Sequence, residues 1–190
     1  MDEQKLYASL NDDAYDYPTL DTDKEVYGFY RIDIRPHEYI VYVNENQKKL
    51  VIVCIGSHRG KDLFNDFLAF NRLEKSSNRY NRIRQFVYDL TIQKPVIQNK
   101  ESGKKFMIEK IVITGHSIGG FYSVNIGKMF NIETHAFNPF IEKFKKLNSN
   151  QTLYLSTLDP ININAFTSYG GQKKIKTFVN VNAHSLNNWL

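Results

Sequence analysis

The sequence predicts an α/β fold in which a mostly parallel sheet is covered by helices on both faces. Short apolar runs rich in β-branched residues alternate along the chain with longer segments whose apolar residues recur at helical spacing. The chain has 190 residues, 42% of them hydrophobic and 14% aromatic, which is enough to form a substantial core. We therefore expect a single domain over residues 25–190, preceded by an acidic N-terminal segment over residues 1–24.

The predicted sheet begins with an antiparallel hairpin. Residues 39–43 and 50–55 are extended and apolar, and the polar residues between them form the turn. Helices are predicted next at residues 62–70 and 79–92. The later strands and helices follow in alternation: strands at 110–114, 133–137, 152–157 and 174–181, with helices at 117–130 and 141–147.

The most informative motif is Gly-His-Ser-Ile-Gly-Gly at residues 115–120. A β-branched apolar strand precedes it and an amphipathic helix follows it, which is the layout of a nucleophile elbow rather than of an ordinary strand–turn–helix. Gly115 and Gly119 flank Ser117 where a Cβ would collide with the tight turn. We therefore predict Ser117 as a nucleophile and the N–H of Ile118 as one oxyanion donor.

A nucleophilic serine needs a base, and the base needs an orienting carboxylate. In α/β-hydrolase-type proteins the chain order is serine, acid, histidine. Asp159 is the one aspartate after Ser117, and His184 is the one histidine after Asp159. Both follow extended segments, so we expect them at the carboxyl ends of strands.

Other residues remain open as alternatives. Asp-Pro at residues 159–160 is also a common turn starter, and Glu133 and Glu142 are substitute acids. His135 is a substitute base, although its position favours a packed strand residue. We expect His116 to support the turn and do not predict it as the base.

These motifs resemble the class 3 lipases, a branch of the α/β-hydrolases that includes triacylglycerol lipases, phospholipases and feruloyl esterases. The string at residues 115–120 is close to the Gly-His-Ser-Leu-Gly-Gly typical of that family. Leu-Val-Ile-Val-Cys-Ile-Gly-Ser at residues 50–57 is similar to the apolar strand that ends in Phe-Arg-Gly-Ser or Phe-Arg-Gly-Thr. The resemblance assigns Ser57 the second oxyanion role. It also covers Phe-Asn-Pro at residues 137–139, Asp-Pro-Ile at 159–161 for the triad acid, and residues 184–190 for the triad base.

The chain departs from the family pattern in two places. Cys54 and Ile55 replace the usual phenylalanine and arginine before Gly56. A short polar stretch at residues 58–61 stands where secreted members carry an amphipathic lid. The departures favour an esterase or phospholipase with an open site over a lipase activated at fat droplets.

The composition limits cofactors and partners. The sequence contains no cysteine–histidine cluster for zinc and no phosphate-binding loop, and triad hydrolysis needs neither a metal nor another cofactor. The net charge is +5, with basic clusters at residues 104–105, 143–146 and 173–176. These are either solvated faces or contacts with an anionic membrane, whereas their dispersion disfavours nucleic acid. The oligomeric state is not predicted.

The location follows from what the sequence lacks. Residues 1–24 have no apolar core of signal-peptide length, and Cys54 is the single cysteine. We expect an intracellular protein. Because lipases of this kind also occur in large DNA viruses, the resemblance leaves open a viral member, in the cytoplasm of an infected host or in the virion.

The predicted function is hydrolysis of a lipid or phospholipid ester by a Ser117–His184–Asp159 triad. Acyl transfer by the same triad remains open, as do the acyl chain and head group. The competing interpretation is a non-catalytic descendant of the fold that serves as an interaction or virion component.

Overall fold

The computed structural model describes residues 2–16, 25–56, 78–99, 103–140, 147–157, 159, 175–178, 185–186 and 189–190. Its helices are α1 (Glu3–Tyr15), α2 (Asn78–Gln93) and α3 (Ile118–Phe130). Its strands are β1 (Glu25–Val26), β2 (Phe29–Arg35), β3 (Tyr39–Asn44), β4 (Lys49–Cys54), β5 (Val96–Gln98), β6 (Lys105–Met107), β7 (Lys110–His116), β8 (Glu133–Phe137), β9 (Gln151–Ser156) and β10 (Ile175–Phe178).

Within these residues, eight strands form one sheet in the order β1-β2-β3-β4-β7-β8-β9-β10. The first four pair antiparallel, and β4, β7, β8, β9 and β10 pair parallel in that order. Strands β5 and β6 form a separate antiparallel hairpin. The carboxyl ends of β4, β7, β8 and β9 therefore meet at one edge of the sheet, where α/β folds place their functional residues.

The two faces of the sheet are covered by different helices. Alternate side chains of the central strands point to opposite faces, so Val51 and Val53 of β4 pack against α1, whereas Leu50 and Ile52 pack with α2 and α3. Strands β3 and β4 are buried along their whole length. This burial explains why the sequence there is a continuous apolar run and does not alternate.

The predicted fold class is confirmed: the sheet is mostly parallel, helices cover both faces, and the predicted hairpin is β3–β4. Strands β1 and β2 precede that hairpin and extend the antiparallel part. The predicted helices at residues 62–70 and 141–147 lie in whole or in large part outside the described residues.

Helix α1 lies within the acidic segment and is part of the hydrophobic core on one face of the sheet. It begins after Asp2, whose side chain accepts the Gln4 N–H at 3.0 Å, and it buries Leu6, Tyr7 and Leu10 against the sheet. None of the described helices combines the length and apolar character required to cross a bilayer.

Candidate active site

The structure places Ser117 in a tight turn between the end of β7 and the start of α3. Its φ is 58° and its ψ is −121°, a conformation that residues other than glycine rarely adopt. Its N–H donates to the carbonyl oxygen of Phe137 at 3.0 Å, and its own carbonyl oxygen accepts the N–H groups of Phe121 and Phe140. The side chain does not cap α3. Three backbone hydrogen bonds thus hold the turn at Ser117, and its hydroxyl does not cap the helix.

The glycines beside Ser117 stand where the chain has no room for a side chain. A Cβ on Gly115 would lie 2.2 Å from the carbonyl oxygen of Gly119. A Cβ on Gly119 would lie 2.0 Å from the carbonyl oxygen of Cys54, at the end of β4. Because backbone atoms cannot move aside cheaply, both positions require glycine.

The end of β4 lies against this turn. A Cβ on Gly56 would be 2.9 Å from the carbonyl oxygen of His116. Ile118, the first residue of α3, has a side chain that is 8% exposed. Ser57 lies outside the described residues, but its chain neighbour Gly56 is in contact with the turn that carries Ser117.

Asp159 lies just beyond β9, two strands away from β7. Its side chain is only 2% exposed, and its N–H donates to the carbonyl oxygen of Ser156 at 3.3 Å. Asn138 connects the ends of β8 and β9, because its N–H donates to the Tyr154 carbonyl and its side chain accepts the Ser156 N–H, each at 2.8 Å. Asp159 is therefore at the same edge of the sheet as Ser117.

His184 lies outside the described residues. Among the described residues that follow it, Leu186 is 5% exposed and Trp189 is 3% exposed, whereas Leu190 is 41% exposed. The Trp189 ring lies 6.0 Å from that of Phe137 and 5.8 Å from that of Tyr154. Trp189 is thus packed on β8 and β9, and Phe137 is also the residue whose carbonyl oxygen accepts the Ser117 N–H.

Glu133 and His135 serve a different part of the molecule. Glu133 is at the amino end of β8, roughly 16 Å along the strands from Ser117. It accepts hydrogen bonds from His135 Nε2 at 3.2 Å and from Lys110 Nζ at 2.7 Å. These partners lower the pKa of Glu133 to about 2 against the opposing effect of burial. The other ring nitrogen of His135 lies 3.0 Å from the Tyr154 hydroxyl. Glu142, the second substitute acid, lies outside the described residues.

The same cluster contains the one group in the described part of the chain whose spacing would suit a metal ion. Ligand atoms of Glu3, Glu133 and His135 lie within 4.8 Å of one another. Lys110 already pairs with Glu133, and Lys49 lies over the Tyr7 ring at 5.0 Å. Because the Lys110 ammonium group pairs with the Glu133 carboxylate, we assign no metal to the cluster.

Cys54 is not a competing nucleophile. It is 1% exposed, and burial raises the pKa of its thiol to about 12. The thiol therefore remains protonated at neutral pH.

A residue of α1 that the sequence did not predict to be near the site contacts the residue before Ser117. Tyr15, the last residue of the helix, places its hydroxyl 2.9 Å from His116 Nδ1. Leu6, Leu10 and Ala14 recur at four-residue intervals and are all buried, so their spacing is a sign in the sequence of a packed helix.

No protein-family model matches the chain, and no curated protein matches its sequence. Solved structures do resemble it. The Lip2 lipase from Yarrowia lipolytica has a TM-score of 0.51 at 15% identity, over 82% of this chain and 72% of that one. A deletion mutant of the Rhizomucor miehei lipase in its propeptide complex also has a TM-score of 0.51, at 14% identity, over 86% of this chain and 62% of that one.

The native Rhizomucor miehei lipase propeptide complex is matched over 80% of this chain and 60% of that one, at a TM-score of 0.48 and 15% identity. The chain thus spans less than two thirds of the length of the Rhizomucor enzyme. Identities this low show a shared fold, which is the fold that the motifs implied. The chain has the α/β-hydrolase fold found in these fungal lipases.

Proposed function

We propose that the chain is a serine carboxylic-ester hydrolase that acts on a lipid or phospholipid ester through an acyl-enzyme. Ser117 Oγ attacks the ester carbonyl while His184 takes its proton and then returns it to the leaving alcohol. Asp159 holds the His184 imidazole in the required tautomer. The N–H groups of Ser57 and Ile118 bind the oxyanion, and water then hydrolyses the acyl-enzyme.

The observation that carries the proposal is the conformation of Ser117. Its positive φ costs about 1–3 kcal/mol and is held in place by the crowded glycines and the three backbone hydrogen bonds of the turn. Strain of this kind is typical of functional sites. It presents the hydroxyl at the amino end of α3, where backbone N–H groups favour a developing negative charge.

The surroundings of Ser117 support the assigned partners. Asp159 is a buried carboxyl group at the same edge of the sheet. Trp189, five residues after His184, packs on Phe137, whose carbonyl oxygen accepts the Ser117 N–H. The proposal requires the His184 ring to lie between the Ser117 hydroxyl and the Asp159 carboxylate. Glu133 and His135 are already paired with each other near the amino end of β8, which disfavours them as substitutes.

A lipid ester is proposed as the substrate class because the neighbours of the fold are lipases. The polar stretch at residues 58–61 favours a site open to soluble esters, and phospholipid is the narrower proposal. Of the basic clusters, Lys104 and Lys105 are described and exposed. They lie on the β5–β6 hairpin, which leads into the amino end of β7. Contact of this cluster with an anionic membrane would therefore place the amino end of β7, and not the end that carries Ser117, at the membrane surface.

Turnover of soluble esters tests the proposal. Purified protein should hydrolyse a short-chain p-nitrophenyl ester below its aggregation threshold, and Ser117→Ala should reduce the rate to background. Ser123→Ala is a matched control, because Ser123 is also buried in the α3 segment but donates its hydroxyl to the Gly120 carbonyl. Folded wild-type protein without turnover on short- or long-chain esters would favour the non-catalytic descendant.

A further inference from the structure

Helix α1 is fixed to the sheet by buried polar contacts. Asn11 donates to the Thr114 hydroxyl at 2.8 Å, one residue before Gly115 of the elbow. Arg31, which is 1% exposed, donates to the Asp13 carboxylate at 2.6 and 2.9 Å, and the Tyr42 hydroxyl donates to the same carboxylate oxygen at 2.7 Å. The carboxyl end of α1 is therefore a rigid support beside the site.

That support ends in Tyr15, which contacts the residue before Ser117 and the residue before Ser57. Its hydroxyl lies 2.9 Å from His116 Nδ1, and the two rings meet edge to face at 5.8 Å. The same hydroxyl lies against Gly56, because a Cβ on Gly56 would be 2.0 Å from the Tyr15 oxygen. His116 precedes Ser117, and Gly56 precedes Ser57.

The Tyr15 hydroxyl and His116 Nδ1 share one hydrogen bond, whichever of the two donates. The residue before Gly56 is held as well, because the Arg79 guanidinium donates to the Ile55 carbonyl.

We propose that Tyr15 is a positioning residue for the ester hydrolysis proposed above, on which this inference rests. Its hydroxyl joins Gly56, after β4, to His116, before the nucleophile, and so holds together the two backbone segments from which the proposed oxyanion donors follow. It acts through Gly56 and His116 and touches no reacting atom. Because oxyanion donors act on the transition state, its loss changes kcat more than KM.

Tyr15→Phe removes the hydroxyl and keeps the ring. We expect kcat for a soluble ester, and the rate constant for labelling by a fluorophosphonate probe, to fall about 10- to 100-fold, since a misplacement of catalytic groups by about 1 Å can cost about 100-fold. KM should change by less than about twofold. His116→Leu removes the other end of the link, and the double variant should lose little more than either single variant.

Tyr42→Phe is the matched control, because it removes a hydroxyl that holds the same helix through Asp13 but lies away from the elbow. It should lower the melting temperature about as much as Tyr15→Phe while leaving kcat within about twofold of wild type. His116→Leu keeps the test decisive if Tyr15→Phe does not fold, since it breaks the same link from the side of the sheet.

The outcomes separate the two proposals. The role of Tyr15 would be overturned if the wild type is active and Tyr15→Phe and Tyr42→Phe have the same kcat. It would also be overturned if the losses of kcat in Tyr15→Phe and His116→Leu add up in the double variant. Either result would leave the proposed ester hydrolysis intact. A loss confined to KM would do the same. A folded wild type that neither turns over esters nor reacts with the probe would overturn both.

Discussion

Replacement of Ser117 by alanine and by glycine separates its backbone strain from its chemistry. Both variants lack the hydroxyl and should be inactive. Only glycine adopts a φ of 58° and a ψ of −121° without a steric penalty. The two variants should therefore differ in stability although neither has a side-chain hydroxyl.

The size of the difference follows from two opposing terms. A residue with a Cβ at such a φ costs about 1–3 kcal/mol. Glycine costs about 0.5–1 kcal/mol more than alanine in conformational entropy. The free energy of unfolding of Ser117→Gly should therefore be about 1 kcal/mol larger than that of Ser117→Ala. For a domain of this size, this difference corresponds to a melting temperature roughly 2–4 °C higher for the glycine variant.

Thermal melts followed by circular dichroism measure this difference, and Gln85 supplies the control. Gln85 is exposed within α2, where alanine should be more stable than glycine by about 1 kcal/mol. Both variants there lose the same contact with Asp89. The order of alanine and glycine should be reversed between the two sites. The same order at both would refute the claim that the turn stores strain at Ser117.

Other substitutions test the acid, the distant cluster and the surface. Asp159→Asn should reduce kcat by up to about 10⁴-fold through the wrong imidazole tautomer, and a near-normal rate would transfer the acid role to another carboxylate. The pKa of Glu133 is lowered in the folded state, so its contribution to stability is present above about pH 4.5 and is lost as the pH falls towards about 2. In Glu133→Gln, the free energy of unfolding measured in urea should therefore depend less on pH between these two values. An unchanged dependence on pH would contradict the pairing with His135. Arg31→Met should lower the free energy of unfolding by about 3–5 kcal/mol, because it leaves the Asp13 carboxylate buried without its cation, and a loss below about 1 kcal/mol would contradict the tight pair. If basic clusters outside the described residues guide membrane contact, ester hydrolysis should be faster on anionic than on zwitterionic vesicles and the difference should shrink with salt; equal, salt-independent rates would make those clusters solvated surface.

The elbow and the parallel strands could be predicted from the sequence because local patterns determine them. Strand β7, the turn at Ser117 and helix α3 are contiguous, and the glycine spacing fixes the turn. Strand β8 was predicted at residues 133–137, where the structure has it. Asp159 follows β9, as the order of the chain suggested.

The role of α1 could not be predicted in this way. In the sequence, Asn11 and Asp13 look like part of an acidic segment exposed to solvent. They can be buried because Asp13 pairs with Arg31 and Asn11 donates to Thr114, and local sequence patterns do not reveal either partner. Strand β2 was missed because its partly exposed side chains give a weak pattern. The hairpin β5–β6 has three residues in each strand, too few for a periodic pattern.

The central claim is that Ser117 is an activated nucleophile. A fluorophosphonate probe tests it without knowledge of the substrate, and proteolysis with mass spectrometry then locates the adduct. We predict a phosphonyl group on the peptide that contains Ser117, slow labelling of His184→Ala, and no adduct on Ser117→Ala. A folded wild-type protein that remains unmodified, or an adduct on another residue that persists in Ser117→Ala, would contradict the account.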